Sequence, residues 1–141
     1  MFVCSAAIYF VEQSIVTDTE LVEAAVLDLA LTFERGETEE MLSFLSANET
    51  LLRIKIGTAL RLITVENDLR ITDLNVTTMA QNSRAKSRFR VNGTFRLPVG
   101  TSNRPTRWEL TWQQEAGDWK VLKVARLNPI TGEEIDIFGS Q

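Results

Sequence analysis

The sequence predicts an α+β domain in which three N-terminal helices pack on a curved four-stranded antiparallel sheet. Two observations carry this expectation. Apolar residues recur at helical spacing as far as Ile63, and from Leu69 onward they alternate with polar ones. The helical block precedes a run of strands joined as hairpins, which is the order of an α+β layout rather than an α/β one. With 141 residues the chain has the length of one domain with one core. Residues 1–16 are set apart as an apolar segment, and residues 17–141 form the single domain.

The first helix is predicted to start at Asp18, as N-cap, and to stop at Gly36. Val22, Val26, Leu29 and Phe33 make its apolar face, and Leu21, Leu27 and Leu31 widen that face until the helix should be largely covered. Thr38 caps a short second helix that buries Met41, Leu42, Phe44 and Leu45. Asn48 caps a third helix carrying Leu52, Ile56, Ala59, Leu60 and Ile63.

The period then falls to two. The first strand runs over 69–78 with a phase shift at Asp73 that reads as a β-bulge. The second covers 85–97, with Phe89, Val91, Phe95 and Leu97 on one face and Gly93 as the site of a sharp bend. Residues 98–105 read as a loop. Trp108, Leu110 and Trp112 point inward from a third strand, and Ala116-Gly117 turns tightly into a fourth strand beginning at Trp119.

Composition narrows the chemistry. The chain contains no histidine, so it lacks the commonest general base near neutral pH and the commonest metal ligand. No paired-cysteine site, phosphate loop or nucleophile elbow occurs, and no metal or cofactor is expected. The single Cys4 forms no internal disulfide, so the compartment stays open between the cytoplasm and an anchored extracytoplasmic place. Charge is unevenly spread: residues 1–50 hold ten acids and one base, whereas residues 51–100 hold nine bases and three acids. Two layers of opposite sign, packed on each other or on a second subunit, account for that split. A net charge of −4 argues against a nucleic-acid partner.

The run Met1 to Val11 is too short to span a bilayer. It reads either as a packing arm or as the remnant of a longer membrane anchor whose upstream part is missing. Three Asn-x-Ser/Thr triplets, at Asn48, Asn75 and Asn92, are attributed to chance.

The order of elements, the glycine-broken strand and the hairpin from Trp108-Glu109-Leu110-Thr111-Trp112 to Glu115-Ala116-Gly117-Asp118-Trp119-Lys120-Val121 resemble the nuclear transport factor 2-like (cystatin-like cone) superfamily over residues 18–127. One feature departs from many members: Ala47 to Glu49 leave no room for a hairpin between the second and third helices. The resemblance implies a cone-shaped pocket between sheet and first helix, enzymes that place polar side chains inside it, and a homodimer. Here the side chains expected to line the cone are Val22, Val26, Leu29, Phe33, Phe89, Val91, Phe95, Leu97, Trp108, Leu110 and Trp112, all apolar. They make either a filled core or a pocket for an apolar small molecule.

A carboxylate buried in such a pocket would have its pKa raised and would serve as a base. Asp73 at the bulge, Asp68 at the preceding turn and Tyr9 on a folded-over N-terminus are the residues that could reach inside; the plainer reading makes the two acids solvated. Arg84, Lys86, Arg88, Arg90 and Arg96 form a basic row. It reads as a solvated face or as the counterpart of the acidic helices rather than as a nucleic-acid track, because the aromatics lie on the opposite face. The expected function is therefore non-catalytic, the binding of a small ligand or of a protein partner. The alternative is a small isomerase or dehydratase using a carboxylate base in the cone.

Overall fold

The computed structural model describes residues 17–79, 81 and 83–136. The N-terminal apolar run and its Tyr9 lie outside the described residues. Among the described residues no helix is long and apolar enough to cross a membrane.

Helix α1 (Asp18–Arg35) is capped one residue earlier than expected. Thr17 adopts an extended backbone, and its Oγ1 accepts from the amide of Glu20 at 3.1 Å. Asp18 falls instead in the first turn, where its charge meets the positive end of the helix dipole. Val22 and Val26 are fully buried on this helix. Leu21, Leu27 and Leu31 are 41–50% exposed, so the covered stripe is narrower than the sequence suggested. A straight helix crossing a sheet buries one line of side chains, and these three leucines fall beside it.

Helix α2 (Thr38–Ser43) is capped one residue earlier than expected and helix α3 (Thr50–Leu62) one residue later. Glu37 and Glu49 hold the capping positions, and neither side chain bonds to the helix end. Other contacts fix these helices. Arg53 on α3 donates through Nη1 to the carbonyl of Leu42 at 2.9 Å, closing the end of α2. The peptide between the two helices then adds itself to the sheet.

The main sheet has five strands in the order β2 (Arg70–Met79), β3 (Arg84–Asn92), β6 (Thr106–Glu115), β7 (Asp118–Leu127) and β8 (Glu134–Ile135), all antiparallel. A smaller sheet joins β1 (Thr64–Val65), β4 (Phe95–Leu97) and β5 (Gly100–Ser102). Four strands were expected; of the four others, β1 follows α3, β8 lies beyond β7, and β4 and β5 come from the strand and loop expected over 85–105. The strand expected over 85–97 breaks at Gly93, sending its second half into the smaller sheet. Part of the expected loop over 98–105 pairs back as β5, with Leu97 opposite Gly100.

The break has a steric cause. A Cβ on Gly93 would lie 3.2 Å from the Cα of Leu69, a tight approach to backbone that favours glycine where the chain passes the start of β2. The bulge at Asp73 is present as a register shift between Thr72 and Asn75, with Asp73 at φ 55°. The β6–β7 hairpin turns through Ala116 (φ 52°) and Gly117 (φ 87°), the two left-handed residues of a type I′ turn.

The outer edge of β7 is covered by the α2–α3 connection. The amide of Ser46 donates to Val121 O and the amide of Val121 donates to Phe44 O, both at 2.8 Å. Ser46 Oγ donates to Glu115 Oε2 at 2.6 Å, and Lys120 Nζ donates to Ser43 O at 2.8 Å. An edge that would otherwise offer unpaired amides is thus closed by the domain's own chain. Inside, Val22, Val26, Leu45, Ala85, Phe89, Leu110, Trp112 and Val121 form one buried cluster.

Two glycine substitutions test this packing. Gly93→Ala should cost about 1–3 kcal/mol through the clash with β2. Gly57→Ala, mid-α3 with only ordinary contacts to Leu42 at 3.8 Å, should add about 0.5–1 kcal/mol. Urea unfolding of both variants reads the two opposite signs.

Candidate functional site

Between α1, α3 and the concave side of the two sheets lies a cavity of about 310 Å³. That volume sits at the lower end of ligand pockets, which run from roughly 300 to 1,000 Å³. Val26, Leu29, Ala30 and Phe33 supply the wall from α1, and Ile56, Ala59, Leu60 and Ile63 supply the wall from α3 and its end. Leu69, Ile71, Phe89, Val91, Trp108, Leu110, Val121 and Val124 form the sheet side, with Phe95 and Leu97 from β4. Met41 and Leu45 also line it, both buried. Phe33 and Phe95 stack across the wall, ring centroids 6.2 Å apart at 23°.

The sheet residues reach the cavity through simple alternation. On β3, Ala85, Ser87, Phe89 and Val91 are buried and point inward, while Arg84, Lys86 and Arg88 are exposed. Phe89 faces Trp108 across the β3–β6 ladder, so these two rings are neighbours on the same side.

Of the eleven side chains expected to line the cone nine do so, and Trp112 does not. Its ring is fully buried, and its Nε1 donates to Ser87 Oγ at 2.9 Å. Small residues make this fit: Trp112 pairs with Ala85 across the ladder, and Ser87 follows on the same face. Val22 is likewise core and not lining. The cone is therefore filled at its narrow end and open further along.

Four polar residues join the lining: Ser102, Arg104, Thr106 and Arg126. None was singled out in the sequence. Arg126 follows Val124 at strand spacing, but a register shift beside Trp112 reverses the inward phase that Trp119 and Val121 set, which hides it. Arg104 lies in the linker before β6 and carries no pattern at all. Thr106 Oγ1 accepts from Trp108 Nε1 at 2.8 Å, holding the indole edge at the cavity wall. Among the described residues no aspartate or glutamate lines the cavity.

Both candidate acids lie elsewhere. Asp68 accepts from Thr94 with both carboxylate oxygens, from the amide at 2.9 Å and from Oγ1 at 2.7 Å. These two bonds hold its carboxyl below the usual aspartate range. Asp73 projects to the other face of the sheet, where its Oδ2 lies 3.9 Å from Arg90 Nε and 3.8 Å from an Arg107 nitrogen. The left-handed backbone at the bulge turns it outward, not into the cone.

The basic row is paired within the sheets rather than with the acidic helices. Arg88 Nε donates to Glu109 Oε2 at 2.6 Å, and Lys86 lies 3.9 Å from the same carboxylate. Arg84 donates to Gln113 Oε1 at 3.3 Å. Arg96 belongs to the smaller sheet and meets Glu66 at 2.6 Å. Directly opposed cross-strand positions bring these charges together, at 88 and 109 for instance. The sequence showed the cations, while their partners depend on register.

The Asp68–Thr94 clasp ties the start of β2 to the bend after β3, and it generates a pH prediction. A depressed folded-state pKa contributes stability above the unfolded aspartate value of about 3.9 and loses it as the pH falls through the folded value. Wild type should therefore exceed Asp68→Asn in Tm at pH 6, and the gap should close below about pH 4. A gap that persists unchanged to pH 2 would contradict this account.

In sequence, neither a protein-family model nor a curated protein matches the chain. In structure the neighbours are clear. A nuclear transport factor 2-like protein from Cytophaga hutchinsonii superposes with a TM-score of 0.56 at 12% identity, covering 74% of this chain and 95% of that one. A ketosteroid isomerase-like protein from Erwinia carotovora gives 0.58 at 12% identity, over 82% of this chain and 100% of the other. A candidate scytalone dehydratase from Novosphingobium aromaticivorans gives 0.58 at 12% identity, over 82% and 87%. At such identities the likeness speaks for the fold, one that holds ligand-binding and enzyme-like proteins alike. The chain has the nuclear transport factor 2-like cone fold.

Proposed function

We propose that this domain binds an apolar small molecule in its cone cavity and does so without acid–base chemistry of its own. The observation that carries this reading is the lining itself. Hydrocarbon walls from both helices and both sheets enclose about 310 Å³, and the two acids that a carboxylate mechanism would use are engaged outside it. A general base must come within hydrogen-bond reach of the proton it removes. Asp68 and Asp73 do not line the space a substrate would occupy.

Binding of an apolar ligand would rest on area taken out of water, about 25 cal/mol per Å², with shape set by Phe33, Phe95 and Trp108. The isomerase and dehydratase likenesses bear on the fold and supply no counterpart base in this cavity.

The neutral dye N-phenyl-1-naphthylamine tests the reading. Its fluorescence should rise on mixing with the protein and saturate at one dye per chain. Ala59→Phe, which places a ring into the cavity from α3, should abolish the rise while the variant unfolds cooperatively like wild type. Undiminished dye binding in that variant would move the site elsewhere.

A further inference from the structure

The polar part of the cavity is not scattered. Ser102, Arg104, Thr106 and Arg126 come from the end of β5, the linker into β6, the first residue of β6 and the last turn of the β7 ladder. Among the described lining residues Arg104 alone is exposed, while Val26, Met41, Leu45, Leu110 and Val121 are buried. Arg104 therefore marks the mouth, and the buried apolar residues mark the floor. Every group at the polar end is a cation or a hydroxyl. Thr106 already accepts from Trp108 Nε1, which leaves its own hydroxyl hydrogen to be donated.

From this arrangement we infer that the ligand is an anionic amphiphile, a hydrocarbon or aromatic body in the cone with a carboxylate-type head at the mouth. The inference rests on the cavity being a ligand site, as proposed above, and adds the chemical class. Arg104 is the head-group contact. Its guanidinium offers planar, paired N–H donors matched to a carboxylate. The hydroxyls of Ser102 and Thr106 supply further donors. A cationic head would meet the Arg104 guanidinium at the mouth, and among the described residues no carboxylate lines the cavity. A neutral alcohol would gain the apolar contacts and forgo the charge-assisted bond.

Three ten-carbon chains differing only in the head separate these cases: decanoate, 1-decanol and decyltrimethylammonium, each below its aggregation concentration. They are titrated by displacement of N-phenyl-1-naphthylamine from the whole chain. Decanoate should bind about ten- to a hundredfold tighter than decanol, the range of one hydrogen bond to a charged group, and the ammonium should bind weakest. Arg104→Gln should bring decanoate to within a fewfold of decanol, and Arg104→Lys should restore part of the difference. Arg104 is exposed on a linker, so these variants keep the fold.

Equal affinity for decanoate and decanol, or a full decanoate preference in Arg104→Gln, would overturn the head-group inference. If the dye binds and no ten-carbon chain displaces it, the amphiphile inference fails while the cavity reading stands. If the dye itself does not bind, both fail.

Discussion

The concave side of the sheet is the constraint on which the rest of this structure depends. Phe89, Val91, Trp108 and Leu110 all project to that side, and a surface so apolar is stable only when something covers it. Helix α1 lies across it and buries Val22 and Val26 completely. One helix is narrower than five strands, however. The remaining width has to be roofed by α3 and by the small β1–β4–β5 sheet, and those come from parts of the chain that must be led there.

Gly93 does the leading. By letting the chain pass close to the Cα of Leu69 it turns β4 out of the main sheet, so that Phe95 and Leu97 close over the end of α1. The bulge at Asp73 bends the neighbouring strand in the same region. The Asp68–Thr94 bonds, and the amide of Leu69 donating to Glu34 Oε2 at 3.1 Å, fasten the bend to both β2 and α1. At the opposite end, Trp112 fills the space beside Ala85 and Ser87, and the α2–α3 connection seals β7. The cavity lies between the closed end and the bent end.

Much of this was legible in the sequence. Alternation fixed the inward faces of β3 and β6, helical spacing placed Val26, Leu29 and Phe33 on the covered side of α1, and Gly93 and Asp73 marked the bend and the bulge. What escaped follows from long-range geometry. Trp112 has the same sequence spacing as Trp108, and only the small side chains beside it decide that it is core. The exposure of Leu21, Leu27 and Leu31 depends on how much width one helix can cover. Arg126 is masked by a register shift, and Arg104 reaches the cavity because the β4–β5 hairpin folds back beside it. The basic row was read as a solvated face or as the counterpart of the acidic helices; its side chains are largely exposed, and Arg88 and Lys86 meet Glu109 across the ladder.

The three tryptophans offer a direct reading of where a ligand goes. Trp108 lines the cavity, whereas Trp112 and Trp119 are buried apart from it. Labelling with 5-fluorotryptophan gives three ¹⁹F resonances, assigned by single Trp→Phe substitutions, and a neutral apolar ligand is then titrated in. A shift confined to Trp108 is the result predicted by a cone that is filled at one end and open at the other. Movement of the Trp112 or Trp119 resonance with Trp108 unmoved would contradict it.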